Sequence, residues 1–364
     1  MTPTLHAALA GLNPAQREAV LHQDSPLLIL AGAGSGKTRV ITVKIAWLIA
    51  EQGVDPRSIL AVTFTNKAAG EMRERALALL QDERAPLTPA GSSIHPQDLA
   101  LRTFHSFGAW MLRRNSDAAG LPRGFSIYDD DDSITLLKAL YPEHKRATLG
   151  RYYHLISRAK DYCLGPEDDL SDITEDPEFV EIYRRYQKRL EEIGNVDFGD
   201  LIMRPVRLLE EEPVVARRMH ERFRYLLVDE YQDSNVAQYR MLRALTGADA
   251  FVCVVGDDDQ SIYRFRGAEV QNILSFPDVF PGTRVVRLEQ NYRSTAPILS
   301  VADAVVANNS GRLGKRLFTE RSDGALPRLV LLPDQDDEVS CGRTGGGSGR
   351  DGGAVPHQRP VARL

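Results

Sequence analysis

Cysteine is scarce. Cys163, Cys253 and Cys341 are the only three in 364 residues. They are odd in number and lack metal-ligand spacing, so neither a disulfide framework nor a zinc site is expected, and a reducing compartment suits them better than secretion. Long apolar runs are missing too; none approaches the length that spans a bilayer. Met1 to Leu12 has no basic segment ahead of its apolar residues and does not read as a signal peptide. Nor is there an excess of positive charge: 45 Lys and Arg stand against 50 Asp and Glu, a net charge of −5. That gives no support to a globally basic nucleic-acid binder, although a local groove can be positive on an acidic protein. A cytoplasmic, monomeric protein without membrane contact is the expectation. The remainder, 43% hydrophobic and 26% charged residues, is globular composition with length for two or three domains.

The most informative stretch is Leu27-Leu28-Ile29-Leu30-Ala31-Gly32-Ala33-Gly34-Ser35-Gly36-Lys37-Thr38. An apolar run fit for a buried strand breaks into a glycine-rich turn. A helical pattern through Val40, Ile41, Val43, Ile45, Trp47 and Leu48 follows. Strand, loop and helix form the context of a phosphate-binding loop. Its glycines let backbone N–H groups of Ala33, Gly34, Ser35 and Gly36 turn toward an anion at the helix N-terminus. Lys37 then reaches the terminal phosphates and the Thr38 hydroxyl can hold magnesium. Ala31 stands where the motif's first glycine belongs, softened by Gly32 and Gly34 beside it.

Further apolar segments end in polar groups. Ile59 to Phe64 reads as a strand leading to Thr65-Asn66-Lys67, and Leu99 to Phe104 as a short strand before His105. Asp82 to Asp98 is turn-rich and reads as a surface loop. From Trp110 to Arg222 the pattern is helical without strands, with Tyr152, Phe179, Tyr183 and Tyr186 on apolar faces. Core packing is the plainer reading of those rings. Arg184, Arg185, Lys188 and Arg189 form a basic face, equally suited to phosphates or to solvent. Tyr225 to Val228 is again a strand, ending in Asp229-Glu230. A carboxylate at that place can hold magnesium and a second can polarise water for attack on a γ-phosphate. Phe251 to Val255 ends near Gln260, placed like a γ-phosphate sensor. Tyr263-Arg264-Phe265-Arg266 interleaves rings and cations, as suits stacking on bases and pairing with phosphates.

Seven ordered blocks together resemble the UvrD/Rep/PcrA family of superfamily-one DNA helicases. They are Leu12 to Gln16, Ala31 to Thr38, Val62 to Ala69, Thr103 to Ser106, Val228 to Asp233, Val255 to Ala268 and Leu288 to Thr295. The resemblance implies a RecA-like α/β fold, a parallel-sheet P-loop NTPase domain with an all-helical insertion. Its parts would be residues 1–109 and 223–280, the insertion 110–222, and the start of a second RecA-like domain at 281–333. By the same resemblance the cofactors are ATP and Mg2+, and the partners are single-stranded and duplex DNA with repair or replication proteins. Gln16 would read the adenine edge and Tyr292 would stack on its ring. Lys37, Thr38, Asp229, Glu230, Gln260 and Arg293 would surround phosphates and magnesium, with Arg39 bordering the nucleotide. Phe64, Asn66, His105, Phe198, Tyr263, Phe265 and Arg266 would line the DNA path, and movement would run 3′ to 5′.

Departures from the pattern carry expectations of their own. Phe265 stands where the family has tryptophan, so stacking should be weaker. Gly199, in Val196-Asp197-Phe198-Gly199-Asp200, stands where an acid is usual. A later H-A-A-K-G-L motif and a late arginine are not found, and a glycine-rich tail at 334–364 reads as disordered or frameshifted. A truncated chain of this kind is expected to bind ATP and single-stranded DNA yet hydrolyse slowly. The rivals are a pure binding module and a phosphate-loop ATPase acting on something other than nucleic acid.

Overall fold

The computed structural model describes residues 2–82, 85–86, 95, 98–260, 271–308, 314–322 and 324–327. Helices α1 (Pro3–Ala10) and α2 (Pro14–Leu21) lead into β1 (Leu27–Ala31) and α3 (Lys37–Ala50). Next come β2 (Ile59–Thr63), α4 (Asn66–Leu80), the ribbon β3 (Gln81–Asp82) and β4 (Ala85–Pro86), β5 (Ala100–Thr103) and α5 (Phe104–Arg114). The middle holds β6 (Ile127–Tyr128), α6 (Asp130–Leu140), α7 (Arg146–Asp161), α8 (Pro177–Glu192), β7 (Val196–Asp197), α9 (Asp200–Glu211) and α10 (Pro213–Arg222). After them come β8 (Tyr225–Val228), α11 (Val236–Leu245), β9 (Phe251–Gly256), the one-turn α12 (Gln271–Leu274) and α13 (Phe276–Val279), β10 (Arg284–Leu288) and α14 (Ala296–Val306). Among the described residues no helix is long and apolar enough to cross a membrane.

Six strands form one parallel sheet in the order β10-β1-β9-β8-β2-β5. Near-continuous apolar strands are what a sheet covered on both faces requires. Strand alternation sends Leu27, Ile29 and Ala31 of β1 into a core with α1 to α4. Leu28 and Leu30 face the opposite core, shared with α5, α9, α10 and α11. Lys44 of α3 is fully buried, and its ammonium donates to the Ala19, Val20 and His22 carbonyls that end α2. A cation at a helix C-terminus satisfies carbonyls that have no intrahelical donor.

Two sequence expectations change here. Arg284–Leu288, expected to open a second domain, is the edge strand of this same sheet. It runs parallel to β1, with Leu27 opposite Arg284 and Ala31 opposite Leu288. Without it the backbone edge of the wholly buried β1 would stand open, and Val286 and Leu288 would lose their burial. The stretch 110–222 is also not strand-free, because β6 and β7 pair in parallel. Otherwise it is helical. Helices α6, α7 and α8 bury a core of their own that takes in Leu149, Tyr152, Ile156, Phe179, Tyr183 and Tyr186. The basic face of α8 is partly neutralised: Arg184 pairs with Glu167 and Glu181, and Arg189 with Glu192. Helix α5 crosses α9 at Gly108, where a Cβ would run into the Leu201 carbonyl. Pro205 explains the fit, since it lacks the N–H that Leu201 would otherwise receive within α9.

Candidate functional site

The turn after β1 is shaped by its glycines. Gly34 and Gly36 have φ of +70° and +85°, a region that side chains disfavour. Ser35 closes the turn on Gly32, its N–H and hydroxyl both donating to the Gly32 carbonyl at 3.2 and 2.7 Å. Asn291, after β10, holds the outside: its Nδ2 donates to the Ala33 carbonyl at 2.6 Å, while Tyr292 N–H donates to Gly34 O at 3.0 Å. A Cβ on Gly34 would lie 2.7 Å from Arg293 Cβ, so no side chain fits between the two segments. The Arg293 guanidinium has no hydrogen-bond partner among the described residues.

Gln16 closes the loop from below. Asn13 caps α2 in a reciprocal box with Gln16, whose Oε1 accepts from Asn13 N–H at 3.1 Å. Gln16 Nε2 donates to Ser35 O at 2.9 Å, so both ends of a 1% exposed amide are engaged. Reading an adenine edge would require one of these bonds to exchange. Asn13 Nδ2 donates to the Tyr292 hydroxyl at 3.0 Å, leaving the ring 48% exposed. Arg39 is exposed and leans on α1, its Nη2 3.5 Å from Ala8 O.

Sheet order brings the acidic pair to the lysine, since only β9 separates β1 from β8. Lys37 Nζ lies 3.0 Å from Glu230 Oε2. Glu230 adopts a left-handed φ of +50°, anchored by its N–H to Asp229 Oδ1 at 3.0 Å and its carbonyl accepting from Asp233 N–H. Gln232 continues the chain of bonds: Nε2 donates to Glu230 Oε2 at 3.0 Å and Oε1 accepts from Asp257 N–H at 2.9 Å. Gln260 Nε2 in turn donates to Asp257 Oδ2. Lys37, Glu230, Gln232, Asp257 and Gln260 thus form one relay across three strand ends. Lys315 lies among the Asp257, Asp258 and Asp259 carboxylates, 2.6 Å from Asp257 Oδ1 and 2.7 Å from Asp259 Oδ2. Its ammonium supplies the positive charge that this acidic run needs.

Asp229 is 4% exposed, and burial first, then the charge of Glu230, pushes its carboxyl up to about 6; Lys37 and the Glu230 N–H oppose the rise. Asp233 is likewise pushed up to about 6, by burial and then by Glu230. Crowded acids that resist ionisation fit a divalent cation, which would favour their charged form. The donors are also of the right kind, because magnesium takes oxygen ligands and Asp229 and Thr38 offer a carboxylate and a hydroxyl.

The aromatic residues lie at the same strand ends, displaced along the sheet. Phe64 is half-buried just after β2 and Asn66 is exposed at the start of α4. His105 opens α5 next door and stacks on Phe198, ring centroids 3.9 Å apart and planes 22° from parallel. Burial pushes the His105 imidazole down to about 4, so it is neutral near pH 7. Phe198, 52% exposed, is carried by a loop with a charged interior. Lys160 Nζ lies 2.7 Å from Asp197 Oδ2 and 2.8 Å from Asp200 Oδ1, all three side chains essentially inaccessible. Tyr186 donates to Asp197 Oδ2 at 3.0 Å. Gly199 now has a reason: a Cβ there would lie 2.7 and 2.8 Å from Lys160 Cδ and Cβ. Tyr263, Phe265, Arg266 and the tail 334–364 lie outside the described residues.

Sequence reasoning missed Gln232, Asn291, Lys160 and Lys315. The first two sit inside the motif blocks as polar residues at strand ends, which was the available signal. Nothing local marked the two lysines.

Comparison with known proteins places the chain in a family. The profile for "UvrD/REP helicase N-terminal domain" matches residues 12–281. The chain is 44% identical over 348 residues to the ATP-dependent DNA helicase UvrD1 of Mycobacterium tuberculosis, covering 91% of this chain and 44% of that protein. It is 44% identical over 326 residues to the ATP-dependent DNA helicase PcrA of Bacillus subtilis, 87% of this chain and 42% of the relative. Against DNA helicase II of Escherichia coli it is 43% identical over 336 residues, 91% and 45% respectively. The chain spans less than half the length of these relatives.

Proposed function

The chain belongs to the UvrD/REP helicase family through its N-terminal domain, and on that premise we propose that it is the ATP-binding part of a DNA helicase that moves 3′ to 5′. The observation that carries the reading is the 3.0 Å contact between Lys37 Nζ and Glu230 Oε2. A phosphate-loop lysine and a water-polarising carboxylate must meet at one triphosphate, and here they do so before it arrives.

The chain's own residues have distinct tasks. The N–H groups of the turn Ala33–Gly36 bind phosphate oxygens, and Tyr292 offers a ring face to the base. Lys37 exchanges Glu230 for the terminal phosphate, which frees Glu230 to accept a proton from the attacking water. Thr38 and Asp229 hold magnesium, which when bound offsets phosphate charge. Gln260 and Arg293 report on the γ-phosphate, and the relay through Asp257 and Gln232 couples that report to the strand ends. Phe64, His105 and Phe198, with Asn66 beside them, pass single-stranded DNA, each stacked base contributing about 1–3 kcal/mol without regard to sequence. Work in repair or replication, in the cytoplasm and as a monomer, completes the reading.

Replacing the carboxylate tests it. Glu230→Gln is expected to keep ATP binding and to lower DNA-dependent phosphate release about 10²–10⁴-fold. Equal release by the two chains would overturn the assignment.

A further inference from the structure

Three guanidiniums converge on one indole at the far edge of the sheet, where three strands separate β5 from β1. Arg102 lies in β5, Arg114 ends α5 and Arg222 ends α10. Their Cζ atoms stand 6.0, 5.8 and 5.1 Å from the centre of the Trp110 ring, and Arg222 is also 5.2 Å from Phe223. Several other arginines of this chain meet carboxylates: Arg57 meets Asp98, Arg184 meets Glu167, Arg240 meets Glu210 and Arg284 meets Glu18. These three make no ion pair or hydrogen bond among the described residues. Arg222 Nε is buried without an acceptor.

An aromatic face attracts a guanidinium, but three like charges around one ring repel each other. Burial first, then the charges of Arg73 and Arg222, hold Arg102 below the usual arginine range. Arg222 is lowered likewise, by burial and then by Arg114 and Arg57. Arg73 is occupied with the Leu101 carbonyl. Asp55, whose charge reaches Arg222, accepts from Arg57 N–H in the turn before β2. A cluster of unneutralised, partly desolvated guanidiniums is built for an anion with several oxygens.

We propose that Arg102, Arg114 and Arg222 around Trp110 form a second DNA contact, which takes backbone phosphates outside the aromatic track. This rests on the DNA reading above. A nucleic acid is favoured over an acidic peptide because α5 links the two places. His105 opens that helix at the track and Arg114 closes it nine residues later, about 13 Å along its axis. Half-buried Trp110, stacked on Phe107 with ring centroids 5.5 Å apart, lies among the three guanidiniums and is placed to report on an anion they take.

The test reads Trp110 directly. The chain has two tryptophans, and Trp47→Phe leaves Trp110 alone. Into this chain one titrates a dT oligonucleotide of about 20 residues, longer than site sizes of about 4–16 nucleotides. Binding is followed by anisotropy and by Trp110 emission over a range of salt. The expected result is a Trp110 response on binding. The slope of log K against log salt should shrink by about 0.7 in R114Q and about 2 in R102Q/R114Q/R222Q. Arg114 is exposed, so R114Q carries the test even if the triple variant misfolds. DNA binding with an unchanged slope in R114Q and a silent Trp110 overturns the site and leaves the DNA reading standing. Failure of the parent chain to bind the oligonucleotide overturns both. A Trp110 response to polyglutamate but not to dT assigns the site to a protein partner and overturns the proposal.

Discussion

Asp229 directly follows β8 and is only 4% exposed, with Glu230 beside it, and both circumstances disfavour its charge. An unfolded aspartate titrates near 3.9, whereas this one titrates at about 6. Between those values the folded chain keeps a proton that the unfolded chain has lost. Nucleotide-free stability therefore falls as pH rises through the window, on the order of 3 kcal/mol for this group. Asp229→Asn lacks the titration but can still accept the Glu230 N–H. Urea midpoints at pH 4 and pH 7 are expected to drop more in the parent chain than in the variant; the same drop in both contradicts the argument. Glu230 adds strain of its own, since a left-handed backbone in a residue other than glycine costs about 1–3 kcal/mol and gathers at functional sites. The acidic pair was legible in the sequence because it directly follows four apolar residues. Its tie to Gln232 and Asp257 was not, because that bond depends on which strands are neighbours.

At the scale of elements, the loop between β7 and α9 presents Phe198 to solvent, while Asp197 at the end of β7 and Asp200 at the start of α9 are buried against Lys160 of α7. Removing one partner of such a cluster leaves uncompensated buried charge, which costs about 3–5 kcal/mol. Lys160→Met is expected to lose that much in urea denaturation, and a loss below about 1 kcal/mol contradicts the role given to the lysine. Lys160 lies in a helix with apolar faces, forty positions before Asp200. No local pattern joins them, which is why Gly199 was legible as a departure but not as the space that the lysine stem fills. The glycine-rich turn is the opposite case. Its conformation is dictated within a few residues, so strand, turn and helix could be read directly.

For the molecule as a whole, strand order was the hidden quantity. Each strand announces itself by its apolar run, yet β1 has β9 and β10 for neighbours, both more than two hundred residues away. The half-exposed β10, with Arg284 and Arg287 outward, reads as easily as the start of another domain. The matched helicase profile stops at residue 281, just before this strand. A chain ending there is expected to melt lower than one ending at residue 327 and to aggregate through the uncovered edge of β1. Light scattering and thermal unfolding of the two chains check this, and equal behaviour would return Arg284–Leu288 to a separate domain. Segments more than two hundred residues apart also build the proposed nucleotide site, with Asn13 and the turn after β1 meeting Asn291 and Tyr292. The most direct measurement is calorimetric titration of MgATP into the parent chain and into Lys37→Ala. A charge-assisted hydrogen bond contributes about 1.5–3 kcal/mol, so the account predicts binding by the parent and a loss of about 10- to 150-fold in the variant; equal affinity in the two chains would contradict it.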